Sequence, residues 1–127
     1  MKALLEAIIT YWATLGLAAS LDLYYDEAPQ NTAYPFATFF IVTNAQDDDM
    51  TERAEVTRVQ FNIWTDDSSP SQCVEYADTL KTGFDWTTFA VAGYSNVYCK
   101  RLEDHLVRSD DGGWQYVIDY EIHTQET

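Results

Sequence analysis

The sequence has few basic residues. Seven Lys and Arg stand against 21 Asp and Glu, which gives a formal net charge of −14 over 127 residues. A negatively charged surface repels DNA and anionic membranes, so the composition argues against a protein that binds nucleic acid through phosphate contacts. Three explanations of the acidity stay open: solubility or adaptation to high salt, a surface that lines a path for DNA without binding it, and an acidic decoy for a DNA-binding protein.

Cysteine is scarce as well. Cys73 and Cys99 are far apart and form no Cys-x-x-Cys motif. A chain of this length buries roughly two-thirds of the surface of its unfolded form without the help of a disulfide. Both residues are therefore predicted to be buried thiols of a reducing compartment, with a disulfide between them as the alternative.

Long apolar runs are absent too. No segment approaches the roughly 18 apolar residues of a membrane span. The opening residues superficially suggest a signal peptide, but Glu6 interrupts the apolar stretch. We expect a soluble protein that is made in the cytoplasm.

Histidine and glycine are too few for the common catalytic sites. His105 and His123 adjoin no nucleophile motif and are predicted to be solvated surface residues, and the five glycines form no phosphate-binding loop. The acidic runs 47–49 and 110–111 lack the alternate ligand spacing of an EF-hand loop. A solvated loop is therefore favoured for the first run and a turn for the second, over weak calcium binding. We expect no catalytic residue, no cofactor and no metal site, and therefore no enzyme.

Two amphipathic helices are predicted. In the first, apolar residues recur at steps of three and four over residues 2–16, and Gly16 is a natural stop. The second has Ser69 as its N-cap, Pro70 at its first helical position and Gln72 to complete a capping box, and it runs to about residue 82.

Strand patterns fill much of the rest. The apolar run that begins at Phe36 is typical of a strand covered on both faces, hence central in a sheet. Residues 55–64 and 114–124 alternate, which indicates one buried face and one polar face, unless that polar face meets a partner. The predicted strands are 21–25, 36–43, 55–64, 96–108 and 114–124, with an exposed loop at 44–53 and an irregular segment at 84–93 anchored by Trp86, Phe89 and Val91.

These elements predict an α+β fold. Most of the predicted strands are joined by short connections, and residues 109–113 supply a turn for a final hairpin. We expect a mostly antiparallel sheet of four to five strands with two helices packed on one face, in a single domain over residues 1–127.

The order of elements resembles that of the tail-terminator, or tail-completion, proteins that join head and tail in long-tailed bacteriophages. The resemblance covers nearly the whole chain. It rests on the opening helix, on Ala28-Pro29 followed by Tyr34-Pro35-Phe36 and a buried strand, on Val59-Gln60-Phe61-Asn62-Ile63-Trp64, on the capped second helix, and on the hairpin that ends in Tyr120-Glu121-Ile122.

The resemblance implies a virion structural protein with no catalytic residues to carry over. Such a protein forms a hexameric ring on the last ring of the tail tube, stops its growth and presents a surface to the head connector. Its partners would be further copies of itself, the tail tube protein, the head connector protein and passing DNA that it does not bind specifically. It would reside at the head-proximal end of the tail and, during assembly, in the host cytoplasm.

Asp47, Asp48 and Asp49 are the candidate partner or channel loop, because function concentrates in loops, and a plain solvated loop is the alternative. Two other functions remain open: another head–tail connector or minor tail protein, and an acidic DNA-mimic inhibitor. A mimic would carry its carboxylates in a stripe on one face, whereas the acids here are spread over loops and helix starts.

Overall fold

The computed structural model describes residues 2–47, 54–109 and 112–126. It confirms the α+β class and the two helices. The elements in chain order are helix α1 (Lys2–Thr14), a short 3-10 helix (Gly16–Ala19), strands β1 (Asp22–Tyr25), β2 (Phe36–Asp47) and β3 (Ala54–Thr65), helix α2 (Ser71–Phe84), and strands β4 (Tyr94–Arg108) and β5 (Trp114–Glu126).

The strands of the described residues form one five-stranded sheet in the order β1-β2-β3-β5-β4. Three neighbouring pairs are antiparallel, as expected, but β1 runs parallel to β2, so the sheet is mixed rather than antiparallel throughout. The connection over residues 26–35 explains the difference, because it returns the chain to the end of the sheet at which β1 began.

No helix in the described part of the chain is long and apolar enough to cross a membrane.

Both helices pack on the same face of the sheet. Trp12 of α1 stacks on Phe61 of β3 at 6.2 Å between ring centroids, and Phe84 of α2 lies 4.9 Å from the same ring. Phe61 and Phe84 are fully buried, and each such side chain stabilises the fold by about 1.5–3 kcal/mol. The two cysteines are buried and free, which confirms the prediction of buried thiols.

The second strand departs from its prediction. β2 continues to Asp47, and residues 44–47 pair with β3, so the predicted loop is wrong over those four residues. Backbone pairing with β3 outweighs the local preference of polar side chains for a loop. β2 is also not central, since β3 occupies the middle of the sheet, and Val42 is exposed at an irregularity between Ile41 and Thr43.

Helix α2 begins one residue later and ends two residues later than predicted, with Pro70 rather than Ser69 as its N-cap. The helix begins at Ser71, but the Ser69 hydroxyl still accepts a hydrogen bond from the Ser71 N–H at 3.3 Å. The Ser69 N–H donates to Asp67 at 3.2 Å, which replaces the role predicted for Gln72. At the other end the helix passes Gly83, where a Cβ would come within 2.8 Å of the Leu15 side chain.

Candidate functional site

A hydrogen-bonded network of polar side chains covers the face of the sheet opposite the helices. This polar face is defined by residues of β3 and β5 that alternate with the buried apolar ones: Arg58, Gln60, Asn62, Gln115 and Asp119. Gln115 donates to Asn62 at 2.9 Å, and Asn62 donates to Gln60 at 3.3 Å. Gln60 in turn donates to Asp119 at 3.1 Å, and Arg58 lies 3.4 Å from the same carboxylate.

Two members of the polar face are buried. Asn62 and Asp119 are each only 4% exposed, although alternation predicted a wet face here. Neighbouring side chains supply the hydrogen bonds that buried polar groups require. Arg58 also reaches Glu103 of β4 at 3.8 Å, and its buried Nε has no partner among the described residues. The Asp119 carboxylate on β5 is thus bound by the guanidinium of Arg58 and the side-chain amide of Gln60. Because both of these residues are on β3, the contacts hold the two strands together.

The outer side of β4 is an edge of the sheet. Near its start the edge is covered by the chain that follows α2. The backbone N–H of Trp86 donates to the Cys99 carbonyl at 2.8 Å, and the backbone N–H of Cys99 donates to the Thr87 carbonyl at 3.1 Å. The strand continues to Arg108 beyond this point. We call Trp86 and residues 98–108 the β4 edge. Four apolar residues of the strand expose 36–38% of their surface there: Tyr98, Leu102, Leu106 and Val107.

Trp86 is the most exposed of the large apolar residues, at 66%. The sequence predicted it to be an anchor of the core, which is wrong, whereas Phe89 and Val91 are buried as predicted. Its backbone has a left-handed φ of 59°, a conformation that is unfavourable for residues other than glycine. Its ring stacks on Tyr98 at 6.4 Å. An exposed tryptophan held on a supporting ring is typical of a protein–protein contact.

His123 continues this aromatic stack. Its ring lies parallel to Tyr98 at 4.3 Å, and its Nε2 is 2.5 Å from a Glu121 oxygen. The prediction of a solvated surface residue is therefore wrong for His123, whose side chain is only 24% exposed. His105 is exposed on β4, as predicted.

A cluster of charged side chains joins β4 to α2, on the face of the sheet against which the helices pack. Lys81 lies 3.1 Å from Asp104 and 3.2 Å from the Tyr116 hydroxyl, which itself donates to Asp104. Burial alone would raise the pKa of Asp104, but the hydrogen bonds from Tyr116 and Lys81 hold it below its usual value. Beside them, Arg101 lies 3.6 Å from Asp85, whose carboxylate accepts a 2.6 Å hydrogen bond from Tyr120.

Five basic residues lie on β4 or form ion pairs with it. Two that lie on neighbouring elements form ion pairs with β4, Arg58 to Glu103 and Lys81 to Asp104. Three more are on the strand itself: Lys100, Arg101 and Arg108. The opposite edge of the sheet has the other sign. We call Asp22, Tyr25, Asp26 and Glu27, all exposed on β1 and the turn after it, the β1 edge.

A cleft of about 330 Å³ lies where the 26–35 connection meets the polar side of β2 and β3. Its walls include the aromatic rings of Tyr34, Phe36 and Trp64, and Asp26 and Glu27 add acidic groups. The segment Ala28-Pro29 to Tyr34-Pro35-Phe36, which carried much of the family resemblance, therefore forms one wall of a surface feature.

The predicted loop is only partly described. Asp47 is the last residue of β2 and pairs with Ala54, whereas Asp48 and Asp49 lie outside the described residues, as do Asp110 and Asp111. Within the described ranges, no group of three or more His, Cys, Asp or Glu is arranged to hold a metal ion. Sequence reasoning missed the β4 edge, although three of the seven basic residues fall within positions 100–108.

Comparison with known proteins agrees with this picture of a chain built for assembly. Residues 2–125 match the family model described as tail completion protein gp17. A chain in the structure titled "Virion of native gene transfer agent (GTA) particle" has the same fold, with a TM-score of 0.78 and 13% sequence identity. The alignment covers 98% of this chain and 96% of that one. No curated protein matches the sequence. Since the family model spans nearly the whole chain, this protein belongs to the tail completion protein gp17 family and is a structural component of a phage-like virion that assembles with other tail or head proteins.

Proposed function

We propose that the protein is a tail terminator. It forms a ring, hexameric in the virion, on the last ring of the tail tube, stops tube polymerisation and presents the interface to which the head connector binds. The observation that carries this proposal is the family match over residues 2–125.

The charge supports passage of DNA through such a ring. A net charge of −14 disfavours phosphate contacts, since affinity for DNA depends on Lys and Arg that neutralise the backbone. Three of the seven basic residues are moreover occupied, because Arg58, Lys81 and Arg101 are paired with carboxylates of the same chain. A wall of this kind lets DNA slide past without being held.

The test is electron microscopy of tails assembled with and without this gene. A terminator predicts overlong tube-like structures without heads when the gene is absent. Tails of normal length that fail to join heads would show instead that the protein is a head–tail connector. Unaffected particles would overturn the virion role and favour the acidic inhibitor, for which the family match gives no support.

We also propose that Asp47, Asp48 and Asp49 face the channel or a partner. Asp47 is the last residue of β2 and pairs with Ala54, the first residue of β3. Replacing all three with Ser removes three negative charges from this segment. Infectious particles should then fall in number, and a normal yield would mean that the segment is a plain solvated loop.

A further inference from the structure

We propose that the two outer edges of the sheet bind each other in the assembled ring: the β4 edge of one copy contacts the β1 edge of the next. This inference rests on the proposed ring but goes beyond it, because it states which surfaces meet. The occupant of each edge is a second copy of this chain.

The topology makes the two edges suitable for a ring. β1 and β4 are the first and last strands of the order β1-β2-β3-β5-β4, so they lie at opposite sides of the sheet. A ring with cyclic symmetry requires two different patches on each subunit, each matched to the other. A pairing of β4 with β4 would instead join two copies about a two-fold axis, and the assembly would stop at a dimer.

The charges of the two edges are complementary. On the β4 edge three basic residues, Lys100, Arg101 and Arg108, outnumber two acidic ones. Those two acids, Glu103 and Asp104, form ion pairs with Arg58 and Lys81 of neighbouring elements. The exposed acids of the β1 edge have no basic residue beside them from Asp22 to Glu27. In a chain with so few cations, their collection on and beside β4 gives the two edges opposite local charge. Opposite charges that face each other across an interface fix its register and disfavour the wrong pairing.

Apolar surface is exposed at the same two places. Among the residues that the structure describes, nine large apolar ones are exposed, and five of them belong to the β4 edge, led by Trp86 at 66%. Two others belong to the opposite side: Tyr25 of the β1 edge, at 47%, and Tyr34 of the connection that follows it, at 36%. Contacts between proteins are enriched in tryptophan and tyrosine, and their burial supplies energy that exposed charges alone do not.

Cross-linking tests the contact in assembled particles. Asp22→Cys and Lys100→Cys are introduced together into the chain, and the particles are treated with a short bis-maleimide. The expected result on a denaturing gel is a ladder of linked copies that rises to the closed ring. The two native cysteines are fully buried and contribute little background, which the wild-type chain measures.

Two controls make the result specific, and a mixture of variants covers the case in which the double variant does not assemble. Each single variant should stay monomeric on the gel, because one edge lacks a thiol. A chain with Asp22→Cys and Lys2→Cys has the same number of new thiols, with the second on α1, and should also give no ladder. If the double variant is not incorporated, particles assembled from a mixture of the two single variants should yield linked pairs.

The outcomes separate this inference from the proposed function. Particles that contain the chain but give no linked species would overturn the edge contact, even if tails end at their normal length. Linked dimers from Lys100→Cys alone would also overturn it, since β4 would then face β4. A ladder in particles whose tails are unaffected by loss of the gene would retain the contact and reject the terminator.

Discussion

At the scale of single residues, Asp104 shows how one carboxylate joins two elements. It accepts hydrogen bonds from Lys81 of α2 and Tyr116 of β5, and Arg101 lies 3.8 Å away. Asp104→Asn keeps the shape but removes the charge, so we expect the free energy of unfolding at pH 7 to fall by about 1–2 kcal/mol. Urea denaturation followed by circular dichroism measures the change.

The pH dependence of that loss has a definite sign. The folded pKa of Asp104 is lowered, so its contribution is present above the unfolded pKa of about 3.9 and disappears as the pH falls through the folded value. The difference between Asp104→Asn and the wild type should therefore shrink below about pH 4. Glu103→Gln is the matched control, because Glu103 is the exposed neighbour and should change stability by less than about 0.5 kcal/mol. A difference that persists unchanged in acid would contradict the role assigned to the charge.

Trp86 allows folding and assembly to be separated. Its ring is mostly exposed, whereas its backbone N–H holds the Cys99 carbonyl in any variant. Trp86→Ala should leave the free energy of unfolding within about 1 kcal/mol of the wild type but reduce incorporation into particles about tenfold. Ile9→Ala removes an exposed apolar side chain from α1 and should not reduce incorporation. Equal losses for the two variants would mean that Trp86 has no special part in assembly.

At the scale of elements, the end of the β4–β5 hairpin depends on a glycine. A Cβ on Gly113 would lie 2.0 Å from the Thr65 carbonyl oxygen at the end of β3, so the backbone must shift to accept any side chain. Gly113→Ala should therefore destabilise the fold by about 2–3 kcal/mol, seen as a lower Tm. Gly16→Ala meets nothing within 4 Å and should be neutral or slightly stabilising. If both variants melt with the wild type, the hairpin does not pack against β3 as described.

The elements were largely predictable and their pairing was not. Apolar periodicity located α1, α2, β1, β3 and β5, because side-chain burial repeats at the period of each element. A continuous apolar run located β2, and the predicted final hairpin located β4. The parallel pairing of β1 could not be predicted, since alternation in Leu21–Tyr25 says nothing about the direction of the neighbouring strand. The acidic run at residues 47–49 also concealed the extension of β2, which depends on the partner strand β3.

The candidate site was predicted less well than the fold. Alternation correctly predicted polar residues on one face of β5, but the burial of Asp119 depends on Arg58 and Gln60, which come from a strand about sixty residues earlier in the chain. The exposure of Trp86 depends on a turn with a left-handed residue, for which Trp gives no signal. An edge strand and an inner strand can have the same alternation, so the β4 edge is recognised only when the strand order is known.

At the scale of the whole molecule, net charge and charge distribution have different consequences. A charge of −14 keeps separate copies apart, because like charges repel across any contact that is not specifically matched. Assembly of such a chain therefore needs a surface where the local sign is reversed. The β4 edge supplies that surface. Because acidic residues dominate the rest of the chain, two copies that meet through the β4 edge repel each other less than copies that meet in other orientations.

Charge reversal at the two edges tests this argument. Lys100→Glu makes the β4 edge repel the β1 edge at each contact of the ring, and we expect about three- to tenfold less of the chain in purified particles, measured by quantitative immunoblot. Adding Asp22→Lys to the same chain restores an opposite-charge pair with its polarity exchanged, so incorporation should recover to near the wild-type value. Lys2→Glu makes the same charge change on α1 and serves as the control, with no loss expected. A deficit in Lys100→Glu that Asp22→Lys fails to repair, in a protein that unfolds like the wild type, would mean that the two edges do not meet. Recovery would be hard to explain in any other way, because Asp22 and Lys100 lie on strands at opposite sides of the sheet and can face each other only across a boundary between copies.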